Sequence, residues 1–180
     1  MHRVFISYRR ADSEEMASKI HDRLSASLQT SLNPNPVFLD TSDLHAGAEL
    51  RTEILKILND VDVLLVIIGT QWLTTTLPGQ EQPRIFDPVD FLHREVRYGL
   101  SEWAARDMNV IPVLVNGAKM PLESQLPGSL RELAEISGFT LTSGTMFGAQ
   151  MEKLTDDIRL YIQEADKRRL VQGLTIVRDY

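Results

Sequence analysis

The sequence predicts a single α/β domain, a parallel β-sheet with helices on both faces, and three observations lead there. Strand-like and helix-like segments alternate five times along the chain. The run Asp62 to Gly69 is continuously apolar after its first residue, as expected of a central strand covered on both sides. Polar loops at 9–13, 41–48 and 70–86 each follow a strand, so right-handed crossovers bring all three to one edge of the sheet. That carboxyl edge is where open α/β sheets bind ligands.

The elements follow in order. Arg3 to Tyr8 is a β-branched and aromatic run and reads as a strand. Asp12 or Ser13 can cap the helix that follows, in which Met16, Ile20, Leu24 and Leu28 recur every four residues to about Leu32. Asn33-Pro34-Asn35-Pro36 stops it, because each proline disfavours helix in the residue before it. Val37 to Asp40 is the second strand, and Leu50, Ile54, Ile57, Leu58 and Val61 mark the second helix. After the central strand, Thr70 to Phe86 is a polar loop of a length that usually serves a function. Asn109 to Val115 is a fourth strand, ended by the turn Asn116-Gly117. A short helix runs through Leu130, Leu133 and Ile136, and Gly138 to Thr142 reads as a fifth strand. Met151, Leu154, Ile158, Tyr161 and Ile162 stripe a last helix. The domain is expected to span 1–166, with 167–180 a tail or linker.

The segment Asp87 to Leu100 carries the most information. Asp87 reads as an N-cap, Pro88 as the first helical residue and Asp90 as a first-turn acid favoured by the helix dipole. Leu92, Val96, Gly99, Leu100 and Trp103 form one apolar stripe. Glu95 borders it beside Gly99, which predicts a half-desolvated carboxylate next to a gap that a ligand can enter.

Composition excludes several functions. The 180 residues carry a net charge of −6, which disfavours a nonspecific nucleic-acid binder. With no cysteine there is no thiolate nucleophile and no disulfide. No apolar run is long enough to span a bilayer and no signal-peptide pattern opens the chain, so a cytoplasmic protein is expected, without direct membrane contact. A Gly-x-Gly-x-x-Gly after the first strand and a phosphate-binding Gly-Lys loop are both lacking. His2, His21, His45 and His93 lack metal-ligand spacing and are expected at the surface, so no metal or resident cofactor is predicted.

Tyr8, Arg9 and Arg10 remain at the strand-end edge, with Asp40, Asp43, His45, Trp72, Phe91 and Glu95. Guanidinium groups suit phosphate, aromatic faces stack on a base or pyridinium ring, and a carboxylate opposes positive charge developing at a sugar carbon. Together they suit a charged nucleotide carrying a labile glycosidic bond. Singly, each has a plainer reading: Arg9 and Arg10 as solvated turn residues, Trp72 as core, Glu95 as a helix surface residue.

Phe5-Ile6-Ser7-Tyr8-Arg9-Arg10, Val37-Phe38-Leu39-Asp40 with Leu44-His45-Ala46-Gly47, Val63 to Trp72, Asp90 to Glu95 and Val110-Ile111-Pro112-Val113 stand in an order and spacing that resemble a TIR (Toll/interleukin-1 receptor) domain over about residues 1–165. The resemblance implies a flavodoxin-like three-layer sandwich whose five parallel strands have the order B-A-C-D-E. It implies an assembly loop, here Asp43, Leu44, His45, Ala46 and Gly47, through which TIR domains associate into homo-oligomers or filaments. The NAD-cleaving members carry a glutamate at the start of the third helix in an aromatic-x-x-basic-Glu pattern, matched by Phe91-Leu92-His93-Arg94-Glu95. Ser-Tyr-Arg-Arg and the Ala-Gly of the loop also resemble an NAD-cleaving member, from which the chain departs by Phe91 in place of tryptophan and by His45 and Glu49.

What the resemblance implies is an NAD⁺ hydrolase or ADP-ribosyl cyclase, with NAD⁺ as substrate and Glu95 catalytic. Tyr8, Arg9, Arg10, His45, Trp72, Phe91 and Arg94 would line the substrate site. TIR–TIR assembly, a fused or associated sensor module and a role in anti-phage immune defence belong to the same expectation. Two other readings stand beside it: a non-catalytic module that recruits other TIR domains, and an N-glycosyl transferase or hydrolase acting on another nucleoside.

Overall fold

A computed structural model describes residues 2–40, 48–105 and 108–178. The elements are β1 (Val4–Ser7), α1 (Arg10–Leu28), β2 (Val37–Leu39), α2 (Ala48–Asp60), β3 (Val63–Ile68), α3 (Phe91–Ala105), β4 (Asn109–Leu114), β5 (Phe139–Thr140) and α4 (Phe147–Arg178). Tight 3-10 turns occupy Arg84–Phe86, Glu123–Gln125 and Gly128–Glu135. The last replaces the short α-helix expected through Leu130 and Leu133, both of which it buries.

The five strands are parallel in the order β2-β1-β3-β4-β5, which is the flavodoxin-like sandwich expected. Strand alternation divides the core into two layers. Phe5, Leu64, Val66, Val110 and Leu114 face α2 and α3 with Leu58, Val96 and Leu100. Val4, Ile6, Leu65, Ile67, Ile111 and Val113 face α1 and α4 with Ile20, Leu24, Leu154 and Ile158. Because β3 leaves β1 on the side away from β2, the strand order reverses between them, and at such a point of the carboxyl edge open α/β sheets form their binding crevice. Ser7 ends β1 at one lip, and Gly69 follows β3 at the other.

Several boundaries moved for tertiary reasons. α1 begins at Arg10 but kinks at Ser13, whose φ of −144° and ψ of 19° are non-helical, so the regular helix follows Ser13, the position offered as a cap; it ends at Leu28 rather than Leu32. Asp12 does not cap it; its Oδ1 accepts the Gln71 N–H at 2.8 Å and so ties the loops after β1 and β3 together across the crevice. α3 starts a turn later than Asp87-Pro88 predicted. Asp87 accepts the Val89 N–H instead, and the N-cap is Asp90, whose Oδ1 accepts the His93 N–H at 3.3 Å. α4 continues unbroken through 166, the expected domain end. Asp62, fully buried at the amino edge, binds both Arg3 and Arg169, and Arg3 also reaches Asp166 at 2.7 Å. This cluster holds α4 against the sheet past its last apolar turn. Among the described residues no helix is long and apolar enough to cross a membrane.

The gap expected beside Gly99 is filled. A Cβ there would collide with Leu64 Cδ2 and press on Val110, so Gly99 lets α3 approach β3 and β4 closely and admits no ligand. Gly99→Ala is therefore expected to destabilise the fold by about 1–3 kcal/mol through overpacking, despite alanine's better helix propensity. Thermal unfolding should show a midpoint several degrees lower; an unchanged or raised midpoint would mean that Leu64 repacks freely.

Candidate active site

Strand parity decides what reaches Glu95. Ser7 lies two residues beyond Phe5 and shares its face of the sheet, whereas Tyr8 turns to the other face and packs among the α1–α4 core residues. Asp40 likewise lies two residues beyond Phe38. α3 crosses the α2–α3 face and places Glu95 between these two strand ends. Ser7 Oγ donates to Glu95 Oε2 at 2.5 Å, and the Asp40 carboxyl adjoins the same group.

Glu95 is 2% exposed, not half-desolvated as its border position suggested. Its Oε1 has no hydrogen-bond partner. Burial, then repulsion from Asp40, raises the Glu95 pKa well above the ordinary carboxyl range, and the Ser7 hydroxyl opposes the shift only in part. Folding thus favours the protonated carboxyl, which can donate to Asp40.

A second cluster lies one turn before Glu95. Asp90 Oδ2 accepts from Arg9 Nη1 at 2.9 Å and from Arg84 Nε at 2.9 Å, and it forms an ion pair with Arg84 Nη2 at 2.8 Å. Arg9 is 3% exposed, far from the solvated turn residue of the plainer reading, and its Nε and Nη2 have no partner among the described residues. His93 is buried too, against expectation. Its Nδ1 lies 2.7 Å from the Ile85 carbonyl, which can only accept, so Nδ1 carries the proton and Nε2 accepts from Ser129 Oγ at 2.9 Å. The imidazole thus pins the 3-10 turn at Arg84–Phe86 and the segment at Ser129 onto α3.

The remaining candidates scatter. Phe91 is half-buried on the first turn of α3, packed against the α2–α3 core, and Arg94 is half-buried beside it. Trp72 is 1% exposed in that core, its Nε1 unpartnered. It lines a 410 Å³ cleft beyond the ends of β3 and β4 with Leu73, Lys119, Met120, Leu122 and Gln125. Arg10 is exposed on α1, 3.5 Å from Glu14, and hydrogen-bonds Tyr8; burial raises the Tyr8 pKa while Arg10 opposes it. Asp43, Leu44, His45, Ala46 and Gly47, the expected assembly loop, lie outside the described residues, and with them His45 as an expected substrate-site residue. Among the described residues no three His, Asp or Glu side chains are grouped to hold a metal ion.

Sequence reasoning passed over Ser7, Asp90 and Arg84 as site residues. Parity along β1 was a usable signal for Ser7. Arg84 carried none, since nothing local distinguishes an arginine in a seventeen-residue polar loop (70–86) that folds back on α3.

The chain belongs to the TIR-domain family, whose model matches residues 4–155. No curated protein matches it. Among solved structures, the TIR domains of the activated Roq1 resistosome directly recognizing the pathogen effector XopQ superpose with a TM-score of 0.62. That match covers 88% of this chain and 99% of the other at 16% identity, a likeness of fold.

Because folding raises the Glu95 pKa, the stability this group contributes is full below its unfolded value, about 4.3, and is lost as pH rises through the folded value. Glu95→Gln removes the ionisation. Its unfolding midpoint should match the wild type near pH 4 and exceed it by roughly 2–6 °C at pH 8. A gap independent of pH would contradict the buried, protonated state.

Proposed function

We propose that this TIR domain is an NAD⁺ glycohydrolase or ADP-ribosyl cyclase that breaks the nicotinamide–ribose bond through Glu95. The observation that carries the reading is the buried, unsaturated carboxyl of Glu95 at the strand-order switch, with Arg9 donors, two residues past β1, that have no partner among the described residues.

Nicotinamide leaves as a neutral molecule, so no acid is needed to expel it. Positive charge passes to the ribosyl carbon in an oxocarbenium-like state, which a carboxylate in a site of low dielectric stabilises strongly. A substrate pyridinium approaching Glu95 favours its ionised form, so binding and loss of the carboxyl proton go together. Ser7 holds Oε2 and leaves Oε1 for the reacting carbon or the ribose hydroxyls. Arg9 and Arg10 bind ribose or pyrophosphate oxygens, while Phe91 packs near the rings with Arg94 beside it. Tyr8, His45 and Trp72 complete the proposed wall of the site. Water attack gives ADP-ribose; attack by the adenine or a ribose hydroxyl gives a cyclic product.

The family supports a further part of the reading. TIR–TIR association through residues 43–47 would switch the activity on, in a cytoplasmic defence role. Residues 167–180 would lead towards a sensor module.

The test is nicotinamide release from NAD⁺ by concentrated protein. Glu95→Ala is expected to lower the rate at least a hundredfold, and Ser7→Ala about tenfold. A Glu95→Ala protein with full activity removes Glu95 from the mechanism. Silence of the wild type even when crowded or assembled favours the recruiting module, and release from other nucleosides but not NAD⁺ favours a different N-glycosidase.

A further inference from the structure

We propose that Asp90 is a positioning residue for the substrate: it holds Arg9 by one N–H so that the other two donor directions, Nε and Nη2, stay aimed at an oxygen-rich anionic group of a nucleotide. The proposal rests on the preceding reading for the identity of the ligand and on the Asp90 cluster for its geometry.

Charge comes first. Asp90 is one carboxylate facing two guanidinium groups, so the cluster carries an excess positive charge with Asp90 and Arg9 both almost wholly out of water. A buried arginine that served only as a brace would use its donors in pairs, since each buried hydrogen bond left unmade carries an uncompensated desolvation cost. Arg84 directs both Nε and Nη2 at Asp90, hydrogen-bonding through Nε and ion-pairing through Nη2. Arg9 does not. It gives Asp90 a single N–H, and Nε and Nη2 are left without acceptors among the described residues. An anion with several oxygens, such as a pyrophosphate, supplies the missing acceptors and the missing negative charge together.

Connectivity comes second. The other oxygen of Asp90 caps α3 at His93, and the Asp90 carbonyl accepts the Arg94 N–H at 3.1 Å. The same residue therefore sets the start of the helix that carries Glu95 five positions on, the side chain of Arg9 after β1 and the end of the loop 70–86 through Arg84. Asparagine would cap the helix as well as aspartate does. What it cannot do is balance the charge of Arg9 and hold it to one face of the cluster. An aspartate is needed here for the arginines, and for the helix only in part.

The experiment is a double-mutant cycle in the full chain between Asp90→Asn and Arg9→Met, read as KM and kcat for nicotinamide release from NAD⁺. Asp90→Asn is expected to raise KM at least tenfold, by more than kcat falls. In the Arg9→Met background the same change should raise KM by less than twofold, because its effect passes through Arg9. Asp90→Glu keeps the charge and displaces it by one methylene; it should raise KM at least fivefold and carries the test if Asp90→Asn does not fold. A KM within twofold of wild type in the variant that folds, or multiplicative losses in the cycle, would overturn the positioning role. If the wild type releases no nicotinamide, the enzymatic reading fails separately and the cycle is read on the affinity for ADP-ribose by calorimetry. Non-additive loss there sustains the role of Asp90, while independent losses, or no binding of ADP-ribose by the wild type at millimolar concentration, refute it.

Discussion

A carboxyl group kept out of water at the end of β1 is the constraint on which the rest of the site depends. Glu95 can be buried there only because α3 lies close against the sheet, and that closeness requires the bare backbone of Gly99 over Leu64. It can be tolerated there because Ser7 and Asp40, at the ends of two adjacent strands, share its polar atoms, and because burial and Asp40 favour its protonated form more than Ser7 opposes it. The loop after β1, the loop 70–86 and the segment at Ser129 are then fastened around α3 by Arg9, Arg84 and His93. Burial of one titratable group thus recruits ties from half the elements of the fold.

Two buried aspartates stand at opposite edges of the sheet, and each bridges two arginines. At the amino edge, Asp62 joins Arg3 to Arg169, and Arg3 goes on to Asp166, so acids and bases balance and α4 is clamped in place. At the carboxyl edge, Asp90 joins Arg9 to Arg84, and among the described residues no further acid pairs with either arginine. In the proposal made above, the same device is a brace where its charges balance and an anion site where they do not.

Much of the architecture was legible in periodicity. The apolar run 62–69 marked the centre of the sheet, and the four-residue stripes marked α1, α3 and α4. Errors gathered at helix starts. Asp87-Pro88 has every local property of a helix entry, yet the helix waits for Asp90, because Asp90 alone can cap it while also receiving Arg9 and Arg84. Asp12 was lost as a cap for a similar reason: the Gln71 N–H across the crevice claims its carboxylate.

By itself the sequence determined the strand–helix alternation, the edge on which the polar loops gather, and Glu95 as the carboxyl worth testing, since these depend on spacing of 2 and 3.6 residues along a local stretch. Only the tertiary structure decided the state of that carboxyl. Its burial, its hydrogen bond from Ser7, its neighbour Asp40 and the one-handed grip on Arg9 join residues up to 88 positions apart. Desolvation and pairing of charge depend on what the fold brings within a few ångströms, and no local pattern encodes them.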